Sequence, residues 1–204
     1  MPRPVLTDEA IDAFRDRAVE VAMRLFAEQG YEGFSLRTLA RELECSHTTP
    51  YRYFPGGKSE IFAQVRAEGF RRFGRFLEAH LAPIADPLER VRILARAYFD
   101  FSVQHQAAFT IIFEMGQPDP EEHPVVGEAG FAAWSVLYDV IADAVKAGAL
   151  VGDVSDLAHT MWAGIHGVAT LHLAHKITMD RSAEAVLDTM TDTLIRAHSP
   201  QGTE

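Results

Sequence analysis

Residues 46–58, SHTTPYRYFPGGK, concentrate hydrogen-bonding, aromatic and basic side chains in a short stretch. The stretch opens with three short polar side chains, those of His47, Thr48 and Thr49. Such side chains reach base edges and phosphates when the first turn of a helix points into the major groove of DNA. Tyr51 and Tyr53 follow, and their phenols can donate hydrogen bonds to phosphate oxygens. The chemistry predicted for this stretch is therefore recognition of duplex DNA.

Each of these side chains also has a purely structural explanation. Tyr51 and Tyr53 can be core aromatics, and the polar residues before them can serve only to satisfy the start of a helix. We predict half-exposed phosphate contacts for both tyrosines, because basic residues stand beside them. Phe54 is expected to be the apolar anchor beneath the segment.

Two short helices and a tight turn must position these side chains. Ser35 can cap a first helix, whose apolar residues fall at three- and four-residue steps: Leu36, Leu39, Ala40 and Leu43. The period breaks at residues 44–46, and Ser46 is predicted to begin the second helix. Pro50 would then stand within the first turn, where proline costs little. This order is the outline of a helix-turn-helix reader of DNA.

Further motifs flank this outline. A predicted first helix ends in FAEQGY at residues 26–31, GFS follows at 33–35, and YRYFP at 51–55 is closed by Lys58. With these motifs the chain resembles TetR-family transcriptional repressors over about residues 10–65. The resemblance implies DNA contacts from the second helix, the third helix and the lysine that opens the fourth. In this chain they map to Arg37, Thr38, His47, Thr48, Thr49, Tyr51, Tyr53 and Lys58.

Charge is distributed unevenly along the chain. In total there are 19 basic and 29 acidic residues, a balance that alone argues against a polyanionic partner. Residues 1–75 hold 12 basic and 11 acidic residues, whereas the remaining 129 residues hold 7 and 18. We therefore expect a locally basic end that faces phosphates and an acidic body that discourages non-specific contact.

The rest of the chain is predicted to be helical, with no strand or hairpin signal. Helices are expected at residues 59–81, 87–104, 106–115, 125–148, 155–176 and 182–197, with a loop at 116–124. In the first of them, Arg66, Arg71, Arg72 and Arg75 are expected opposite an apolar stripe. The predicted fold is all-α, with a three-helix DNA-binding head at 1–58 and a helical effector-binding and dimerisation body at 59–204.

The cysteine content and the lack of targeting signals indicate the cellular compartment of the protein. The single cysteine, Cys45, excludes an internal disulfide and fits a reducing compartment. With no signal peptide and no run of about 18 apolar residues, we predict a cytoplasmic protein without a membrane partner.

The predicted helix at 155–176 contains WAGIHG at residues 162–167, which resembles the Trp-x-Gly-x-His-Gly motif of a TetR C-terminal subgroup called the WHG domain. Its small residues would let another helix approach closely. The final helix supplies an apolar stripe from Val186, Met190, Leu194 and Ile195. Two such helices from each of two subunits would form a four-helix interface, and a two-fold homodimer suits a palindromic operator.

The family resemblance also implies a small-molecule effector that changes the spacing of the two heads and releases DNA. Aromatic residues of the body can line an apolar pocket, although at helical spacing they can equally be core. The candidate ligand contacts are Phe101, His105, Phe109, Phe113, Trp134, Tyr138, Trp162 and His166.

Two other classes of protein compete with this prediction, a small-molecule-binding helical protein and a metal-dependent enzyme. A metal or haem site could in principle use His159, His166, His172 and His175. Their spacing does not complete a tetrahedral shell, and no phosphate-binding loop, nucleophile elbow or metalloprotease motif is present. We therefore predict no metal, no cofactor and no catalysis.

Overall fold

The computed structural model describes residues 7–116, 122–178 and 180–200. These residues form nine α-helices and one π-helical turn, with no strand among them, which confirms the all-α prediction. In chain order the helices are α1 (Asp8–Gly33), α2 (Leu36–Glu42), α3 (Thr49–Tyr53), α4 (Gly57–Leu81), α5 (Pro87–Gln104), α6 (Gln106–Phe109), α7 (Pro124–Lys146), α8 (Val154–Leu173) and α9 (Ala183–His198). The π-helical turn, Thr110–Glu114, directly continues α6.

Side-chain caps explain where several helices begin. The Oγ of Ser35 accepts a hydrogen bond from the backbone N–H of Thr38 at 3.1 Å, which caps α2 as predicted. At α5, Asp86 accepts from the N–H of Glu89 at 2.8 Å, and Pro87 is the first helical residue. Further caps are provided by Thr7 for α1, Asp153 for α8 and Ser182 for α9.

The turn after α2 is closed by a residue in the left-handed conformation. Glu44 has φ 53°, a value that usually selects glycine. Its N–H bonds to the carbonyl of Arg41 at 3.1 Å, and the N–H of Cys45 bonds to the carbonyl of Ala40 at 3.0 Å. This pair of bonds is a Schellman motif, which ends α2 and redirects the chain toward α3.

The start of α3 differs from the prediction. α3 begins at Thr49 rather than directly after Ser46, because residues 46–48 form a turn in which the N–H of Thr49 bonds to the carbonyl of Ser46 at 2.8 Å. The Ser46 hydroxyl pairs with the hydroxyl of Thr48 at 3.1 Å. Pro50 is thus the second residue of α3, where its missing N–H costs nothing.

The described residues belong to two compact units. The first unit takes in the described parts of residues 1–70 and 107–130, and the second takes in those of 71–106 and 131–204. The divisions fall inside α4, inside α6 and inside α7. The functional boundary expected between residues 58 and 59 therefore stays a prediction.

The first unit has its core among α1, α2, α4 and the π-helical turn. Its fully buried aromatic side chains include Phe26, Phe54, Phe62 and Phe109. Arg66 contradicts the predicted pattern, because it is 0% exposed instead of standing on a solvated face. Phe62 lies four residues before Arg66 and Phe70 lies four residues after it. Residues four apart lie on the same face of a helix, so Arg66 stands between two aromatic side chains.

In the second unit, α5, α8 and α9 pack against one another. Arg92 and Arg96 of α5 pair with Asp192 and Asp188 of α9 at 2.9 and 3.0 Å. The interior is apolar, and its fully buried members include Leu94, Tyr98, Phe101, Ile165 and Leu187. Ile195, predicted to belong to an intersubunit stripe, is only 3% exposed and lies in this core.

Two predictions for residues 106–146 need correction. Residues 106–115 were expected to form one helix, but α6 is a single turn followed by the π-helical turn. The helix expected at about 125–148 is α7, Pro124–Lys146, as predicted, and residues 117–121 of the preceding loop lie outside the described residues. Despite the prediction of no apolar run, α7 is long and apolar enough to cross a bilayer by length and composition. A single such helix is weak evidence, since core helices of soluble proteins meet the same criterion.

Candidate functional site

The eight predicted DNA contacts all lie in the first unit, on α2, the turn, α3 and the first turn of α4. Four are exposed, namely Arg37, His47, Thr48 and Tyr51. The other four are half-buried, namely Thr38, Thr49, Tyr53 and Lys58. None of the eight is buried, so each retains surface that a partner can contact.

Aromatic packing holds α3 in place. Phe54 is 0% exposed, which confirms its role as the apolar anchor, and the guanidinium of Arg15 lies 5.2 Å from its ring centroid. The ring of Tyr53 stacks on Phe14 of α1, with the centroids 4.0 Å apart. Tyr51 faces outward and is 55% exposed. The two predicted phosphate contacts therefore differ, because the ring of Tyr53 stacks on another ring of the chain whereas the ring of Tyr51 is exposed.

Lys58 makes contacts within the chain. Its Nζ lies 4.2 Å from the ring centroid of Tyr31, a cation–π contact, and donates to the carbonyl of Glu32 at 3.5 Å. The side chain is half-buried, so part of it remains accessible beside this ring. Lys58 is the second residue of α4, and the family resemblance implies a DNA contact from the lysine at the start of this helix.

In the second unit, a hydrogen-bonded network joins two of the predicted ligand contacts. The hydroxyl of Tyr98 accepts from Trp162 Nε1 at 3.1 Å and lies 3.0 Å from His166 Nδ1. The Tyr98 hydroxyl thus joins the indole of Trp162 to the imidazole of His166. Burial raises the pKa of Tyr98 well above its usual value, which keeps the phenol a donor.

The remaining candidate ligand contacts divide between the units. In the second unit, Trp134 lies 5.8 Å from Trp162 in an edge-to-face pair and Tyr138 is half-buried. Phe101 is buried against the exposed His105, with ring centroids 4.9 Å apart. Phe109 and Phe113 belong to the first unit and lie 5.0 Å apart. A pocket that uses all eight side chains stays a prediction.

Two family models match the chain. Residues 18–65, which contain α2, the turn and α3, match the model of bacterial regulatory proteins of the tetR family. Residues 91–194 match the tetracyclin repressor-like C-terminal domain. The chain belongs to the TetR family. It is therefore a DNA-binding transcriptional regulator, and α2 and α3 are its helix-turn-helix.

Other similarities agree with this membership. The TetR-family chain is 32% identical over 78 residues to the uncharacterized HTH-type transcriptional regulator Rv1255c of Mycobacterium tuberculosis. The matching stretch covers 38% of this chain and 38% of that regulator. A solved structure of a protein with unknown function from Rhodococcus sp. RHA1 superposes with a TM-score of 0.81 at 26% identity, over 91% of this chain and 95% of the other. The crystal structure of AibR in complex with isovaleryl coenzyme A and operator DNA shares the fold, with a TM-score of 0.70 and 18% identity over 89% and 97%.

The WHG-like assignment of the C-terminal half is not confirmed, since the matching model is a different TetR C-terminal domain. Gly164 does permit a close helix approach, but inside the chain: a Cβ there would lie 2.7 Å from Met190 Sδ. At Gly167 nothing lies within 4 Å of such a Cβ. Of the two glycines, Gly167 is therefore the one that leaves α8 open to a further partner.

The candidate site residues did not include Tyr98 or Arg66. In the structure Tyr98 forms a hydrogen-bonded network and Arg66 is fully buried. Tyr98 joins Trp162 to His166, a link across α5 and α8 that spacing along one helix cannot reveal. Arg66 did leave a signal, because its four-residue spacing from Phe62 and Phe70 puts it on an aromatic face. Within the described residues, no three His, Cys, Asp or Glu side chains come close enough together to hold a metal ion.

Proposed function

We propose that this TetR-family regulator is a cytoplasmic homodimeric repressor that binds a near-palindromic operator and is released by a small-molecule effector. One observation carries the operator proposal: α3 is anchored by buried Phe54, while His47, Thr48 and Tyr51 remain exposed beside it. A rigid support with free polar side chains suits direct readout of a major groove. The protein acts without catalysis.

The homodimer is supported by the open face of α8 and α9. Leu171 is 49% exposed, Ala163 is exposed, and Gly167 has open space where a Cβ would stand. Val186 and Leu194 of α9 are half-buried. Small and apolar residues of this kind let helices of a second copy approach, and a two-fold pair would place recognition helices about 34–36 Å apart.

An effector site is supported by polar groups set among aromatic rings, notably the Tyr98 network. It is also supported by AibR, which shares the fold and whose crystal structure holds both isovaleryl coenzyme A and operator DNA. A ligand that prefers another spacing of the two heads weakens operator binding by its differential affinity for the two states.

Selection of bound duplexes from a random pool, followed by gel shift on the full chain, tests this function. We expect an inverted repeat, and we expect the complex to contain two chains of 22.6 kDa each. His47→Ala and Thr48→Ala should change which bases are preferred, whereas the matched control His80→Ala, on α4 beyond the motif, should not. Recovery of no preferred sequence would contradict the proposal.

A further inference from the structure

Arg66 is a charged side chain sealed inside the first unit. It is 0% exposed, and its only described hydrogen bond runs from Nη2 to the carbonyl of Ile112 in the π-helical turn, at 3.0 Å. No carboxylate pairs with it among the residues that the structure describes. Burial lowers the pKa of this guanidinium to about 10, which still leaves it charged at neutral pH.

The guanidinium has donors to spare. Nε and Nη1 are buried without any partner in the described structure. A guanidinium offers five N–H bonds arranged as two forks that share Nη2. Whichever Nη2 hydrogen bonds to Ile112, the other hydrogen completes one intact fork. Such a fork matches the two oxygens of a carboxylate.

The surroundings of Arg66 are apolar. Its guanidinium carbon lies 5.9 Å from the ring centroids of both Phe62 and Phe70, and Phe70 makes an edge-to-face contact with Phe113. Gly69 lets α4 and the π-helical turn meet closely, because a Cβ there would lie 2.6 Å from Ile112. π-helical turns break the regular hydrogen-bond ladder and are frequent at functional sites. Here the turn supplies the single carbonyl that accepts from Arg66.

We propose that Arg66 is the anchor for the carboxylate of a small, otherwise apolar ligand, which enters by displacing the π-helical turn. Two unpaired donors in a buried, aromatic environment call for an acceptor that the described residues do not provide. One guanidinium balances one negative charge, so a monocarboxylate fits better than a phosphate dianion. The regulatory consequence, release of DNA, rests on the proposed function, whereas carboxylate binding itself does not.

The test compares wild type with Arg66→Met, which keeps an unbranched apolar side chain and removes the guanidinium with its charge. Thermal unfolding is followed in sodium acetate, butyrate and benzoate, with acetamide, butyramide and benzamide as neutral partners at constant ionic strength. At about ten times its Kd a carboxylate should raise the midpoint of wild type by roughly 3–6 °C. The amides should not shift the midpoint, and R66M should show no carboxylate effect.

Arg17→Met, which removes an exposed arginine of the same unit, is the matched control and should keep the full carboxylate effect. Without ligand, the midpoint of R66M should lie roughly 2–8 °C above that of wild type, because a buried unpaired charge is gone. No carboxylate effect on wild type, or an equal effect on R66M, overturns the proposal. If R66M does not fold, Arg66→Lys is used instead, and it should lose at least ten-fold in carboxylate affinity because it lacks the fork.

Gel shift separates this proposal from the proposed function. R66M should bind operator DNA within about two-fold of wild type but no longer be released by a carboxylate that stabilises wild type. If wild type binds no specific DNA while the carboxylate still raises its unfolding midpoint, the repressor proposal fails and the Arg66 site stands.

Discussion

At the scale of single residues, the contacts of Lys58 and of Tyr98 can each be tested by one substitution. Lys58 lies over the ring of Tyr31, 4.2 Å from its centroid, although the family resemblance gives it a phosphate. Tyr98 links Trp162 to His166 through one hydroxyl. The first contact involves a predicted phosphate-binding side chain, and the second joins α5 to α8.

Lys58→Ala should weaken binding to operator and to random DNA alike. Each phosphate neutralised by a lysine releases condensed counterions, so we expect the slope of log K against log salt to fall by about one. Lys176→Ala, which removes an exposed lysine beyond α8, is the control and should leave the slope unchanged. A slope unaffected by Lys58→Ala would show that Lys58 neutralises no phosphate in the complex.

Tyr98→Phe should lower the free energy of unfolding by about 1–3 kcal/mol, because it removes the acceptor of the Trp162 N–H and the hydrogen bond to His166. Urea denaturation of both proteins measures the difference. Tyr138→Phe is the matched control and should change the free energy by less than about 0.5 kcal/mol. Equal losses from the two substitutions would mean that the network contributes nothing specific.

At the scale of elements, the helix ends show where local conformation and residue type disagree. The left-handed residue that follows α2 is Glu44 with φ 53°, and the one that follows α8 is His175 with φ 53°. The one that follows α7 is Gly148 with φ 70°. A side chain in this region costs free energy that glycine does not incur. The turn of the helix-turn-helix therefore carries a small local strain.

Glu44→Gly should raise the free energy of unfolding by about 0.5–1 kcal/mol, since it relieves the left-handed conformation and removes an acidic group from a helix C-terminus. Gly148→Ala is the reverse change and should cost about 1 kcal/mol. At Gly148 a Cβ would meet nothing within 4 Å, so conformation alone decides the result. Destabilisation by Glu44→Gly in urea denaturation would reveal a contact of the Glu44 side chain that outweighs the strain.

At the scale of the whole molecule, the proposed homodimer depends on a face of α8 that the chain itself leaves open. Gly164 is used within the chain, because Met190 of α9 packs against it, whereas Gly167 faces open space. A Cβ at Gly167 meets no described atom within 4 Å, so we expect a larger side chain there to disturb the proposed interface rather than the fold.

Gly167→Leu should leave the far-UV circular dichroism unchanged, convert the dimer to a monomer in sedimentation equilibrium and abolish operator binding at concentrations that saturate wild type. Gly127→Leu makes the same substitution at another helical glycine with nothing within 4 Å, and it should stay dimeric. A dimer that survives Gly167→Leu would place the interface elsewhere.

Local sequence determined the helical class, most helix starts and the helix-turn-helix. Ser35 and Asp86 could be recognised as caps because a cap is set by hydrogen bonds to residues two or three positions away. Phe54 could be recognised as an anchor because the polar and basic residues around it leave few alternatives. The family-specific motifs lie in the same short stretch, so membership was also readable from the sequence.

Only the tertiary structure decided which faces are covered and by what. Periodicity shows that one face of α4 is apolar, but it does not show that the π-helical turn closes over Arg66. Likewise, the apolar residues of α9 look alike in sequence, yet Ile195 is buried within its own chain and Val186 is half-buried. The start of α3 moved from Ser46 to Thr49 because the residues between them close a turn. Burial is a property of the neighbours of a residue in space, and a pattern along one helix contains no information about those neighbours.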